Sequence, residues 1–240
     1  MDPHFWHERW KTNQIGFHQG DINPYLIRYW PSLALNTGAR VFVPLCGKSR
    51  DMFWLLEQGY SVVGIEISPI AVESFFTENR LTPAAIRESR FIRWRIDALE
   101  ILCGDFFELE KVDIGNCQGV YDRAALIALP PDMRPRYAAH LSTLLDPHAT
   151  GLLVTLEYNQ SEMGGPPFSV SDAEVSRLFA EVYTVQLLCR TDILNSQARF
   201  REQGLTRLSE QAWRVESNKQ ASEPNRSLAK NSGGDHELFD

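Results

Sequence analysis

Long apolar runs are missing from this chain. None approaches the ~20 residues that a helix needs to cross a bilayer, so no membrane span is expected. The first ten residues, MDPHFWHERW, mix charge with aromatics and lack the apolar core of a secretion signal, which makes a cytoplasmic location the default expectation. CxxC pairs are absent: Cys46, Cys103, Cys117 and Cys189 are scattered through 240 residues, as free buried thiols are rather than a disulfide frame. A surplus of positive charge is absent too. The 24 Lys and Arg against 31 Asp and Glu leave a net charge of −7, which argues against a nucleic-acid binder or an anionic-membrane binder. None of the six histidines pairs with a cysteine or carboxylate at metal-ligand spacing, so no metal is expected. No internal repeat is visible.

What is present is an alternation of short apolar runs and helical patterns, organised around residues 41–66, VFVPLCGKSRDMFWLLEQGYSVVGIE. Residues 41–43 read as a buried strand and residues 44–49 as a turn. Residues 51–58 read as a helix with Met52, Leu55 and Leu56 on one face, closed by Gly59. Residues 61–65 form a second strand that ends at Glu66. Strand, helix and strand of this length predict two parallel strands joined by a right-handed crossover.

Upstream, residues 5–18 begin as a helix on which Trp6 and Trp10 share a face. It either covers the sheet edge or acts as a lid over a ligand. A second helix over residues 22–30 stops at Pro31. Downstream, Ser68 and Pro69 start a helix, and residues 81–89 read as loop or frayed helix. Residues 91–96 alternate as a strand with one solvated face; with residues 99–103 they could form a hairpin decorating the main sheet. Strands follow at 116–121 and 151–158, with a helix at 134–145 between them. The run EMGGPPF over 162–168 is a turn-rich loop. Ser171 and Asp172 are capping candidates for a helix over 173–181. Residues 182–192 and 205–215 read as two antiparallel strands. Residues 1–215 are expected to make a single domain with residues 1–35 as its N-terminal helical lid, and residues 216–240 a disordered tail.

Open α/β sheets bind ligands past the carboxyl ends of their strands. Leu45, Glu66, Asp105 and Arg123 all fall at such ends. An acid about 20 residues after the first turn is the pattern that binds a ribose diol. The turn PLCGKS, however, has one glycine, not the GxGxxG of a dinucleotide site, and its spacing fails the phosphate-loop pattern. This points to a nucleoside ligand without phosphates. S-adenosylmethionine fits, with its ribose at Glu66 and its adenine near Asp105. A nicotinamide-dependent oxidoreductase is the competing reading, since it also uses an acid after the second strand. A non-catalytic nucleoside-binding relative is another.

Phe5-Trp6, Arg9-Trp10, GFHQ at 16–19, VFVPLCGKSRDMFWL, GYSVVGIEIS, YDRAAL and GPPF together resemble the thiopurine S-methyltransferases, particularly the bacterial ones, over roughly residues 5–215. The resemblance implies a class I S-adenosylmethionine-dependent methyltransferase fold: a seven-stranded, mostly parallel α/β sheet with an antiparallel C-terminal edge. It implies S-methylation of thiopurines or related aromatic and heterocyclic thiols, with selenium and tellurium compounds as further acceptors and detoxification as the role. The implied cofactor contacts are Trp10, Leu45, Glu66, Asp105 and Arg123. Phe17 matches an aromatic beside cofactor and acceptor. Arg123 and an arginine of the last connection would assist the acceptor thiol. Arg199 is the match for that arginine, with Arg201 its competitor. His18 reads as a packing or polar loop residue. The expected partner is a small-molecule thiol, and the expected state a monomer.

Overall fold

The computed structural model describes residues 3–16 and 18–218, and these build one sheet. Its strands are β1 (Arg40–Val43), β2 (Ser61–Glu66), β3 (Ala84–Arg87), β4 (Ile92–Ile96), β5 (Leu99–Cys103), β6 (Gly119–Arg123), β7 (Thr150–Glu157), β8 (Tyr183–Asp192) and β9 (Ser209–Ser217). They run in the order β3-β4-β5-β2-β1-β6-β7-β9-β8. The five central strands, β5 to β7, are mutually parallel. β9 and β8 close the other edge antiparallel. The seven-stranded, mostly parallel sheet with its antiparallel C-terminal edge is therefore present, with β3 and β4 added antiparallel beyond β5.

The helices are α1 (Pro3–Lys11), α2 (Pro24–Tyr29), α3 (Asp51–Glu57), α4 (Pro69–Glu78), α5 (Lys111–Ile114), α6 (Arg134–Leu144), α7 (Asp172–Phe179) and α8 (Ala198–Glu202). The chain leaves β1 toward β2 and β5, then returns to the other side of β1 for β6 and β7. The strand order thus reverses at β1, and the crevice beyond the ends of β2, β1 and β6 is the switch point where such sheets bind ligands.

Two apolar clusters cover the sheet, one on each face. Phe42, Phe106, Tyr137 and Trp213 belong to one, and Val41, Trp30, Phe75 and Tyr121 to the other. Trp30 is wholly buried, edge-on to Tyr121 at 6.1 Å. The segment from α2 to Trp30 therefore packs into the core, whereas Trp6 and Trp10 of α1 lie over the crevice. Buried polar groups lock the same region. Asp51 accepts from the Asn23 backbone N–H at 2.8 Å and the Tyr121 hydroxyl at 2.9 Å, while Asn23 caps α2.

Three expectations are corrected. Residues 84–87 are the strand β3, since each pairs across to β4, with Ile86 opposite Arg93. The runs 91–96 and 99–103 do form the expected hairpin, Ile96 lying opposite Leu99, but its second strand is part of the main sheet rather than a decoration of it. Burial of Leu99, Ile101, Leu102 and Cys103 suits a central strand, and it lies parallel to β2 in full register. The fold also does not stop at residue 215. Glu216 pairs with Thr150 and Thr184 in β9, and its carboxylate meets Arg214 at 3.0 Å. Glu216 is an outward-facing alternate of an antiparallel strand, while Ser217 is buried in it. The rest of the expected tail, residues 219–240, lies outside the described residues. Among the described residues no helix is long and apolar enough to cross a membrane, and no three potential ligands cluster as a metal site.

Candidate active site

The turn after β1 sets the site. Leu45 and Gly47 both take positive φ, +45° and +53°, and Cys46 N–H bonds to the Ile65 carbonyl at 2.9 Å. The peptide N–H of Gly47 thereby faces β2 and donates to Glu66 Oε2 at 2.9 Å; Ser68 N–H donates to Oε1 at 2.8 Å. Among the described residues no lysine or arginine forms an ion pair with this carboxylate. Burial raises its pKa to about 7 against the pull of these N–H groups. The Ile67 N–H also favours the charged form, and the carboxylate's roughly four acceptor positions still leave room for an incoming hydroxyl donor.

The indole of Trp10 is 6 % exposed and packs on Gly47. A Cβ at Gly47 would meet that ring at 3.2 Å, besides being strained at φ +53°. Gly47→Ala is therefore expected to cost ~1–2 kcal/mol, or a melting temperature lower by about 3–6 °C, and to weaken nucleoside binding as Trp10 is pushed out. Thermal melts with and without S-adenosylhomocysteine check both effects.

Arg123 ends β6 on one side of the crevice. Its neighbour Asp122 turns the other way, accepting from the Tyr137 hydroxyl at 2.6 Å and Leu126 N–H at 3.1 Å, and burial lifts its pKa to about 6. The alternation of side chains along a strand separates the two charges. Asp105 follows β5 and caps a short turn by accepting from Phe107 N–H at 2.9 Å.

Three cavities meet here. The first, about 800 Å³, is lined by Trp6, Trp10, His18, Leu45, Glu66 and Arg123, and closed by Pro166 and Pro167. The second, about 780 Å³, shares Trp6, Leu45 and Ile67 with it and runs past Gly104, Asp105, Phe106 and Phe107. The third, about 680 Å³, lies across the proline pair and holds Arg9 and Arg199. The proline loop is tied down from behind. Phe168 N–H bonds to the Ile127 carbonyl at 2.7 Å, and Tyr158 donates its hydroxyl proton to the Pro167 carbonyl at 2.6 Å. Arg134, fully buried, donates to the Ser169 carbonyl at 3.0 Å and pairs with Glu174 at 2.8 Å.

Trp10, Leu45, Glu66 and Arg123 are thus brought together on one cavity and Asp105 on the adjoining one. Arg199 stands on the third, apart from Arg123. Arg201 is turned to the Asn195 carbonyl at 2.6 Å. Phe17 lies outside the described residues. His18, read from the sequence as a packing or polar loop residue, lines the first cavity, and burial followed by Lys48 lowers its pKa. The residues that composition alone did not bring out, Ala124, Ile127 and Ala128, are small or apolar and carry no chemical signature; their signal was adjacency to YDR.

A family model described as Thiopurine S-methyltransferase (TPMT) matches residues 1–218. A thiopurine S-methyltransferase of Pseudomonas fluorescens (strain Pf0-1) is 54% identical over 215 residues, covering 90% of this chain and 99% of that one. One from Nitrosospira multiformis is 51% identical over 210 residues, covering 88% and 96%. Among solved structures, a Burkholderia thailandensis 1,6-didemethyltoxoflavin-N1-methyltransferase with bound S-adenosylhomocysteine superposes with a TM-score of 0.59 at 16% identity, over 90% of this chain and 86% of that one. A SAM-dependent methyltransferase from Anabaena variabilis superposes with a TM-score of 0.60 at 13% identity, over 90% and 94%. At these identities the superpositions establish the shared methyltransferase fold.

Proposed function

The chain belongs to the thiopurine S-methyltransferase family, and from that premise we propose that it transfers a methyl group from S-adenosylmethionine to the sulfur of a thiopurine or a related aromatic or heterocyclic thiol. The observation that carries this reading is the first cavity at the switch point, lined by Glu66 and Arg123, which adjoins the second at Leu45 and the third at Pro166 and Pro167.

The residues fit the methyl donor. Glu66, with acceptor capacity left beside its backbone N–H partners, suits a ribose diol. The apolar second cavity with Asp105 at its rim suits an adenine ring, Asp105 keeping one oxygen for the exocyclic amine. Trp10, Leu45 and the Gly47 turn would enclose the amino-acid end. When bound, S-adenosylmethionine supplies a methyl group already activated by a positively charged sulfur. The chain's own task is then to orient a sulfur nucleophile and exclude water. The Arg123 guanidinium favours the thiolate over the thiol and holds it at the mouth of the first cavity. Pro166 and Pro167, held rigid by Tyr158, Phe168 and Arg134, form the wall against which a flat heterocycle packs. Arg199 reaches the acceptor from the third cavity, and α1 serves as the lid.

A single copy supplies every residue named here, which supports a monomer, and the gathering of all the described strands into one sheet supports a single domain. The family leaves the nicotinamide-dependent oxidoreductase without support. The test is an acceptor screen read by S-adenosylhomocysteine release. Turnover is expected with 6-mercaptopurine and thiophenol and not with phenol or aniline. Cofactor binding without turnover on any thiol would make the protein a non-catalytic binder and sink the proposal.

A further inference from the structure

Arg9 and Arg199 face one cavity without a counter-charge. The cavity that they line with Gln14 and Gln203 contains no carboxylate, and among the described residues neither guanidinium forms an ion pair. By contrast Arg40, Arg93, Arg134 and Arg214, all partly or wholly buried, each have a carboxylate partner. Arg9 and Arg199 rest instead on aromatic rings, Arg9 over Phe5 at 4.8 Å and Arg199 over Phe200 at 4.6 Å. Desolvation, and after it the nearby charge of Arg9, lowers the pKa of Arg199. Like charges drawn together at a half-closed cavity are unfavourable until an anion joins them. Their position is also specified by the chain: Arg199 Nη1 occupies the space that a Cβ on residue 16 would fill, so Gly16 admits the guanidinium against the backbone.

We propose that Arg9 and Arg199 form a carboxylate-binding subsite for the methyl acceptor, so that the preferred thiol carries an anionic group at the end remote from its sulfur. The inference rests on the S-methyltransferase reading given above. Its geometry is the shared wall. Pro166 and Pro167 line both the first cavity, beside Arg123, and the third, beside Arg199. An acceptor lying along those prolines with its sulfur at Arg123 puts its far end between the two guanidiniums. Planar forked donors match a carboxylate two bonds at a time, and the glutamine amides supply further donors. Arg9 acts on specificity here and does not touch the reacting atoms.

The test uses 4-mercaptobenzoate and its neutral isostere 4-mercaptobenzamide, titrated by calorimetry into the full-length protein loaded with S-adenosylhomocysteine. Wild type should bind the acid at least about tenfold more tightly than the amide. Arg9→Gln should lower acid affinity about tenfold, leave amide affinity within about twofold, and keep S-adenosylhomocysteine affinity unchanged; Arg9→Lys should restore part of the loss. Gly16→Ala, which displaces the Arg199 fork, should act in the same direction and provides the check should Arg9→Gln fold poorly. Equal binding of acid and amide by wild type, or equal loss of both in Arg9→Gln, would overturn the subsite. The readout needs no turnover. Methyl transfer to neither thiol with the acid preference intact would remove the activity and leave the subsite; transfer to both thiols without the preference would do the reverse.

Discussion

Glu66→Ala is expected to lower the affinity for S-adenosylhomocysteine about 100-fold. Two hydroxyl-to-carboxylate bonds are lost from a buried site, and each bond to a charged group contributes ~1.5–3 kcal/mol; with partial compensation by water, about 3 kcal/mol, or two decades, is the reasonable sum. The carboxylate has a second signature. It is ionised only above about pH 7 in the free protein, because burial outweighs the N–H groups of Gly47 and Ser68. Hydroxyl donors favour the ionised form, so affinity should fall about tenfold between pH 8 and pH 6 in wild type, with protons released on binding. That dependence should vanish in Glu66→Ala. Calorimetry at several pH values measures both.

Stability should follow the opposite sign. The folded pKa of Glu66 lies above its ordinary 4.5, and that of Asp122, at about 6, above its ordinary 3.8. Such groups stabilise the fold most below the ordinary values, and that contribution is lost as pH rises through the folded ones. The ligand-free protein should therefore gain stability on acidification from pH 8 toward pH 5 while it loses cofactor affinity. Denaturant melts of the free and loaded protein across that range separate the two trends.

Arg123→Ala should carry the largest kinetic effect, a fall in kcat/KM of about 100- to 1000-fold, the range seen when one charge-stabilising donor is removed from an active site. The pattern across acceptors identifies its role. A guanidinium that favours the thiolate helps a weakly acidic thiol more than one already ionised. Across thiophenols of graded acidity, wild type should vary little and Arg123→Ala steeply, the deficit shrinking for acidic thiols and at high pH. A uniform loss across the series would reduce Arg123 to a binding residue. Arg123→Lys should recover part of the activity, because a point charge replaces the fork.

The centre of the sheet was legible in the sequence because both of its signals are local. Buried parallel strands read as short apolar runs, and the strand–helix–strand unit from Val41 to Glu66 has its stop at Gly59 and its acid at the strand end. Leu45, Glu66, Asp105 and Arg123 were found for the same reason: each terminates a strand or follows one. The edges were less legible. β3 is exposed along its whole length, so AAIR has neither a buried run nor a clear alternation, and only its pairing with β4 makes it a strand. Glu216 looked like the start of a tail because an outward-facing alternate of an antiparallel strand has the composition of a linker. The third cavity was invisible for a different reason. Arg9 and Arg199 are far apart in the chain, and only the fold of α1, Gly16 and α8 brings them to the same wall of prolines. His18 belongs with them, since a loop histidine carries no mark of the cavity it faces.

The destination of the methyl group distinguishes an S-methyltransferase from every other reading. Incubation with S-adenosylmethionine bearing a deuterated methyl and with 6-mercaptopurine, followed by mass spectrometry and NMR of the product, reads this directly. Protein-dependent labelling of the sulfur, lost in Arg123→Ala, is the predicted result. Labelling of a ring nitrogen, or an unlabelled thiopurine from protein that binds S-adenosylhomocysteine, would contradict it.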